Sequence, residues 1–416
     1  MKIVFLLVCL SSSVALALLP LLTAETSKRP TVIVVSMDGF RADYFNKVKT
    51  PEFEKFISSS TQASHLKPVF PSVTFVNHYS IVTGLLPEHH GIVNNSMWDP
   101  VTKREFEIGN TQEVDRSEWW EGEPIWVTAE KQKVKTATMF WVGSSAEIAG
   151  YRPTYWLPYD QSLTKEKRVE QVLKWLDLPQ DQRPQLITLY FEDADSAGHQ
   201  YGPDSPKINE AIRRLDKAIG QLMEGLKARD LEKDTYVILL SDHGMARVER
   251  GHRIDLKNYV KSDEARIVGK GALALVWPRG KDEEARILAR VKKSSVHFKV
   301  FDKTQLAKKF QYSNHRRISP LVFLADLGWY LDSGIFASLK PGVFGLHGYD
   351  NCLEDMQAIF LIRGPGVKKG EKVAEIRVID VYALMAYLLE IIPAKNDGDL
   401  DKIKTTLKFN LGELHE

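Results

Sequence analysis

The sequence predicts an α/β domain built on a mostly parallel central sheet, with helices on both faces and an inserted α+β lobe. Three observations lead there. Short runs at Thr31 to Ser36 (TVIVVS), Gln185 to Phe191 (QLITLYF) and Thr235 to Leu240 (TYVILL) are continuously apolar or β-branched, so each reads as a strand buried on both faces. Polar, helix-patterned segments precede the second and third runs and are long enough for crossover connections. Each run also leads straight into acidic residues, as expected where binding loops leave the carboxyl ends of parallel strands.

Taken from the start of the chain, Met1 to Ala24 carries Lys2 and then an almost uncharged apolar run with small residues near its end, the pattern of a secretory signal peptide cleaved near Ala24. An uncleaved membrane anchor is the competing reading, which the three serines and Pro20 weaken. A single compact domain is then expected over 25–416, exported to a periplasmic or secreted location. No later run is comparable, and Val381 to Ile392 is short enough to read as a core helix, so no membrane span is expected in the mature chain. Of two cysteines, Cys9 would leave with the signal and Cys352 would stand alone, which fits a periplasm-like compartment better than a disulfide-rich ectodomain. One glycosylation sequon occurs, Asn94-Asn95-Ser96.

Further along, Ser205 to Lys227 places Ile208, Ile212, Leu215, Ile219, Leu222 and Leu226 at helical spacing, an amphipathic crossover helix. From about 251 to 341 the pattern changes: Ala265 to Trp277 and Val296 to Val300 read as strands and Glu283 to Lys292 as a helix, which makes the inserted lobe. Gln357 to Ile362 returns as a core strand, followed by a helix from Val378.

Composition narrows the function. With 56 basic against 54 acidic residues the net charge is +2, too small a bulk field to suggest a nucleic-acid duplex or an acidic membrane as partner. The chemistry sits at the strand ends, in Ser36-Met37-Asp38-Gly39, Phe191-Glu192-Asp193-Ala194-Asp195 and Ser241-Asp242-His243-Gly244. Carboxylates converging on one crevice repel one another and lose hydration, a cost most simply offset by bound cations. Asp195 with His199, Asp242 with His243, and His347 supply mixed imidazole and carboxylate donors, a set that suits zinc. Between Lys67 and Gly84, two prolines lead into a helix starting near Thr74, where unpaired N–H groups would favour both an alkoxide and a phosphate. On these grounds Ser72 or Thr74 is either a nucleophile or a helix cap.

Six motifs, Met37-Asp38-Gly39-Phe40-Arg41, Pro71-Ser72-Val73-Thr74-Phe75-Val76-Asn77-His78, Gly91-Ile92-Val93-Asn94-Asn95-Ser96-Met97, Asp195-Ser196-Ala197-Gly198-His199, Ser241-Asp242-His243-Gly244-Met245 and His347-Gly348-Tyr349-Asp350-Asn351, resemble the nucleotide pyrophosphatase/phosphodiesterase family of the alkaline phosphatase superfamily. The resemblance runs in order from about Pro30 to about Ile392. It implies an alkaline phosphatase-like fold and two zinc ions, one held by Asp195, His199 and His347, the other by Asp38, Thr74, Asp242 and His243. It makes Thr74 the nucleophile and transient phosphate carrier, and Asn95 the donor to a non-bridging phosphate oxygen. It also gives Phe75 and Tyr155 as faces for a nucleobase, with Tyr151, Trp156 and Tyr159 as rivals of Tyr155. Asp350 is expected to orient His347.

The expected function is therefore zinc-dependent hydrolysis of phosphodiester or pyrophosphate bonds in nucleotides, with release of nucleoside 5'-monophosphate. A choline-type or lysophospholipid diester is the alternative substrate, through an aromatic box of Tyr151, Tyr155, Trp156 and Tyr159 near Asp160. An exported binding protein that has lost catalysis is the alternative from another class, and the complete donor set opposes it. Thr74 also opposes a sulfatase, which needs a modified cysteine or serine.

Overall fold

The computed structural model describes residues 29–294, 296–332 and 342–407, so the signal-like segment lies outside the described residues. The expected architecture is present as a mixed, mostly parallel eight-stranded sheet. Its strands are β1 (Thr31–Met37), β2 (Thr61–Ala63), β3 (Thr136–Met139), β4 (Tyr155–Leu157), β5 (Leu186–Phe191), β6 (Thr235–Leu240), β7 (Phe360–Arg363) and β8 (Glu371–Val373). Their order is β8-β2-β7-β6-β1-β5-β3-β4. The returning strand β7 runs antiparallel to both neighbours, β6 and β2.

Along β1, Val32 and Val34 enter one hydrophobic cluster while Ile33, Val35 and Met37 enter the cluster on the opposite face. Both faces being covered explains why the strands read as unbroken apolar runs rather than alternating ones. The helix expected over 205–227 is Pro206–Ala228, and it buries Ile208, Ile212, Leu215, Ile219, Leu222 and Leu226 against the second cluster.

In the lobe, the stretch from Ala265 forms two strands rather than one, Ala265–Val268 and Leu273–Pro278, folded back through Gly269 and Gly271 at φ of +86° and +88°. With Leu321–Ala325 and Phe298–Asp302 they make a four-stranded antiparallel sheet, flanked by the helix Lys281–Ser294. Val268, Leu273, Leu275, Val322 and Leu324 join the cluster that also covers β1, so the lobe shares a core with the main sheet. No helix among the described residues is long and apolar enough to cross a membrane.

Register positions the site. Ser36 of β1 pairs with Tyr190 of β5 and Leu240 of β6, so three strands end level and release their acidic loops side by side. Backbone bonds then tie those loops together: Asp38 N–H donates to Phe191 O at 2.8 Å and Asp195 N–H to Asp38 O at 3.0 Å. Gly39 holds φ at +66°, and a Cβ there would lie 2.9 Å from Asp195 Cα, so only glycine allows this approach.

Candidate metal centre and nucleophile

Two groups of donors converge at the carboxyl ends of β1, β5 and β6. In the first, His199 Nε2 lies 3.3 Å from Asp195 Oδ1 and 3.0 Å from His347 Nε2, and His347 Nε2 lies 3.5 Å from Asp195 Oδ1. Asp195 and His199 share one face of α1 (Asp193–Tyr201) by their spacing of one turn. His347 comes from the far side of the lobe, just after the strand Val343–Leu346. That strand packs closely on α1, since a Cβ on Gly345 would stand 2.4 Å from Gly198 O.

Around His243, the second group places Nε2 at 3.0 Å from Asp242 Oδ2, 3.5 Å from Asp38 Oδ1 and 3.2 Å from Thr74 Oγ1. The rings of His243 and His347 stack at 3.7 Å, which sets the two groups side by side.

The tautomers follow from the backbone. His199 Nδ1 meets Gly345 O at 2.9 Å, His347 Nδ1 meets Ser72 O at 3.0 Å, and His243 Nδ1 meets Gly244 O at 2.9 Å. A carbonyl only accepts, so each Nδ1 carries a proton and each Nε2 is the nitrogen turned toward the carboxylates, where its lone pair takes either a proton or a metal ion. Asp38 Oδ1, Asp195 Oδ1 and Asp242 Oδ2 are buried and have no hydrogen-bond partner. Lone pairs facing lone pairs in a buried pocket repel unless a cation lies between them, so these residues fit bound metal ions.

Titration directions have the same origin. Burial, with Asp242 and Asp195 nearby, pushes the Asp38 carboxyl well above its usual range. For Asp195, burial acts upward, but His199 and His347 outweigh it and bring the group to about 2. Burial also opposes the rise of His199, where Asp195 prevails and lifts it to about 9. Burial beside His243 and His199 lowers His347 to about 3.

Thr74 opens the helix Thr74–Thr83, after Val73 in extended conformation, so its hydroxyl stands at the positive end of the helix beside His243. Ser72 is fully buried and donates its hydroxyl to Tyr349 O at 2.9 Å, which closes it off as a nucleophile. Asn95 Oδ1 accepts from Phe75 N–H at 3.0 Å. The Phe75 ring packs toward Phe106 and Trp120 with part of its surface open.

Two expectations are corrected. Tyr155 pairs in register with Ala137, and through it with Ile187, levels well below the strand ends. Its ring stacks on Trp175 and its hydroxyl bonds Gln182 O, so it faces away from the donors. Tyr159 is the residue that reaches the site end, packing on Tyr190, whose hydroxyl bonds Asp38. Asp350 binds Lys309 and the Cys352 N–H instead of His347, whose orientation comes from the Ser72 carbonyl. The sequon's acceptor is Asn94, which is buried with its side-chain oxygen bonded to Asn95 N–H, an environment closed to a glycan.

Two contributors escaped the sequence reading. His78, one turn after Thr74, bonds the Thr74 carbonyl at 2.9 Å and lies 3.2 Å from Asp242 Oδ2, while Ser36 Oγ meets its other nitrogen at 2.8 Å. Tyr190 donates to Asp38 Oδ2 at 2.6 Å. Their only sequence signal was a polar group inside an otherwise apolar element.

Residues 32–350 match the family model described as type I phosphodiesterase/nucleotide pyrophosphatase. An uncharacterized pyrophosphatase/phosphodiesterase of Schizosaccharomyces pombe is 39% identical over 383 residues, covering 88% of this chain and 78% of that protein. Human ectonucleotide pyrophosphatase/phosphodiesterase family member 1 is 38% identical over 91% of this chain, which spans only 42% of the human protein. Among solved structures, murine ectonucleotide pyrophosphatase/phosphodiesterase 5 superposes with a TM-score of 0.85 at 33% identity, covering 91% of this chain and 100% of that one. An inactive form of the murine protein in complex with AMP matches with the same TM-score at 32% identity, again over 91% of this chain and 100% of that one.

Proposed function

This chain belongs to the type I phosphodiesterase/nucleotide pyrophosphatase family of the alkaline phosphatase superfamily, and from that premise we propose that it cleaves phosphodiester or pyrophosphate bonds of nucleotides outside the cytoplasm, releasing nucleoside 5'-monophosphate. One observation carries the reading. The Thr74 hydroxyl stands at a helix N-terminus, 3.2 Å from His243 Nε2 and beside two converging donor groups.

Asp195, His199 and His347 would hold one zinc ion, and Asp38, Asp242, His243 and Thr74 the other. When bound, the zinc pair supplies Lewis-acid charge to the reacting oxygens. His78 is excluded as a ligand because its Nδ1–H serves the Thr74 carbonyl and its Nε2 serves Ser36. Thr74 Oγ1 gives up its proton to solvent and attacks phosphorus, the leaving oxygen departs with the electron pair of the broken P–O bond, and a phosphothreonine still esterified to the nucleoside forms. Water then attacks the same phosphorus, which frees the monoester and restores Thr74. Two in-line inversions give net retention at phosphorus. The Asn95 oxygen is engaged by Phe75 N–H, so its amide hydrogens are free to donate to a non-bridging phosphate oxygen. Phe75 and Tyr159 offer the aromatic faces for the base.

The AMP bound by the inactive murine relative supports a nucleotide over a choline substrate. So do the aromatic residues proposed for a choline box: Lys131 lies over Tyr151, Arg152 lies over Trp156, and the Asp160 carboxylate is taken by Ser162. Export rests on the Met1 to Ala24 pattern, and the mass of the mature N-terminus tests it.

The decisive experiment is product analysis on a nucleoside triphosphate, a dinucleotide, glycerophosphocholine and p-nitrophenyl phosphate, with and without chelator. Nucleoside monophosphate release that chelator and Thr74→Ala abolish is the expected result. Choline or phosphocholine release would overturn the substrate, and turnover surviving in Thr74→Ala would overturn the site.

A further inference from the structure

We propose that Tyr190 is a positioning residue that assigns the two oxygens of Asp38, holding Oδ2 through its phenol so that Oδ1 is directed at a metal ion. The proposal rests on the two-metal reading above and extends it to a residue outside the ligand set. The Tyr190 hydroxyl donates to Asp38 Oδ2 at 2.6 Å, while Asp38 Oδ1 has no hydrogen-bond partner and points to within 3.5 Å of His243 Nε2. A carboxylate beyond a strand end would otherwise rotate between equivalent oxygens. One short bond to a buried phenol removes that freedom.

The phenol is itself fixed on several sides. Its strand pairs Tyr190 with Ser36, two residues before Asp38. Its carbonyl accepts from Arg168 Nη1 at 3.0 Å, and that guanidinium forks onto the Glu192 carboxylate. Its ring meets His78 edge-on at 5.3 Å and Tyr159 at 6.2 Å. Tyr190 therefore touches Asp38, the imidazole that bonds the carbonyl of Thr74, and the aromatic face offered to the base.

The test uses Tyr190→Phe, which keeps the ring and removes one hydroxyl. Metal-stripped full-length protein is titrated with zinc alone in competition with a chromophoric chelator. Wild type takes up two zinc ions, and in the variant one of them is held about 10- to 100-fold more weakly while the other is unchanged. The same weakening is expected in a His199→Ala background, where the Asp38 side is the intact group, and kcat falls more than KM changes. Wild-type affinity at both sites overturns the proposal. So does equal weakening of both sites together with a lower melting temperature of the metal-free variant, which marks general loss of packing. Uptake of fewer than two zinc ions by wild type instead removes the two-metal reading, and this proposal with it.

Discussion

The backbone N–H of Phe75 donates to the side-chain oxygen of Asn95 at 3.0 Å, so this bond occupies the oxygen end of the amide and any donor role falls to its nitrogen. Asn95→Ala is expected to lower kcat about 10²- to 10³-fold, the range for loss of one oxyanion donor. Asn95→Asp keeps an acceptor for Phe75 but replaces the donor with a negative charge, so it should be at least as damaging as alanine. Steady-state kinetics on a dinucleotide checks both, and an Asp variant close to wild type would refute the donor role.

Ser72 and Thr74 separate two kinds of loss. Ser72→Ala leaves the Tyr349 carbonyl without its partner, and a destabilisation of about 1 to 2 kcal/mol is expected with turnover retained. Thr74→Ala should keep stability and lose turnover. Denaturant unfolding beside product assays distinguishes them.

Tyr159→Ala should raise KM for a nucleotide several-fold with a smaller change for an ester that lacks a base. Tyr155→Phe removes only the bond to Gln182 O on the far side of β4 and should leave KM unaltered. A KM effect at Tyr155 alone would reverse this assignment.

The lobe is fastened to the main body by buried charge. Asp99 accepts from Arg316 and Arg317, and Arg317 also donates to the carbonyls of Gly91, Glu118 and Trp119. Burial acts upward on Asp99, but Arg317 outweighs it and holds the group at about 2. Glu121, bonded by His315, is likewise held at about 2. Both folded values lie below the unfolded ones, so this stability is fully present above the unfolded carboxylate range near pH 4 and is lost as pH falls toward 2. Asp99→Asn should cost about 2 kcal/mol by weakening the charged hydrogen bonds from Arg316 and Arg317, which keep Glu121 as their remaining carboxylate partner, and should flatten the acid limb of a melting-temperature profile.

Much of this protein is written locally. A strand buried on both faces must be apolar at every position, so β1, β5 and β6 announce themselves, and carboxylates at their ends mark the crevice whatever the partners are. The orientation of β7 needed its neighbours, because an apolar run has no direction. The resemblance already pointed to Thr74 rather than Ser72, whereas the bond that closes off the Ser72 hydroxyl, the register that takes Tyr155 away from the donors, and the Ser72 carbonyl rather than Asp350 as the partner of His347 depended on bonds and packing that the local pattern leaves open. Periodicity reports which face of an element is buried. A hydrogen bond depends on which atoms meet, and strand register and loop packing bring Tyr190 to Asp38 across a separation of 152 residues.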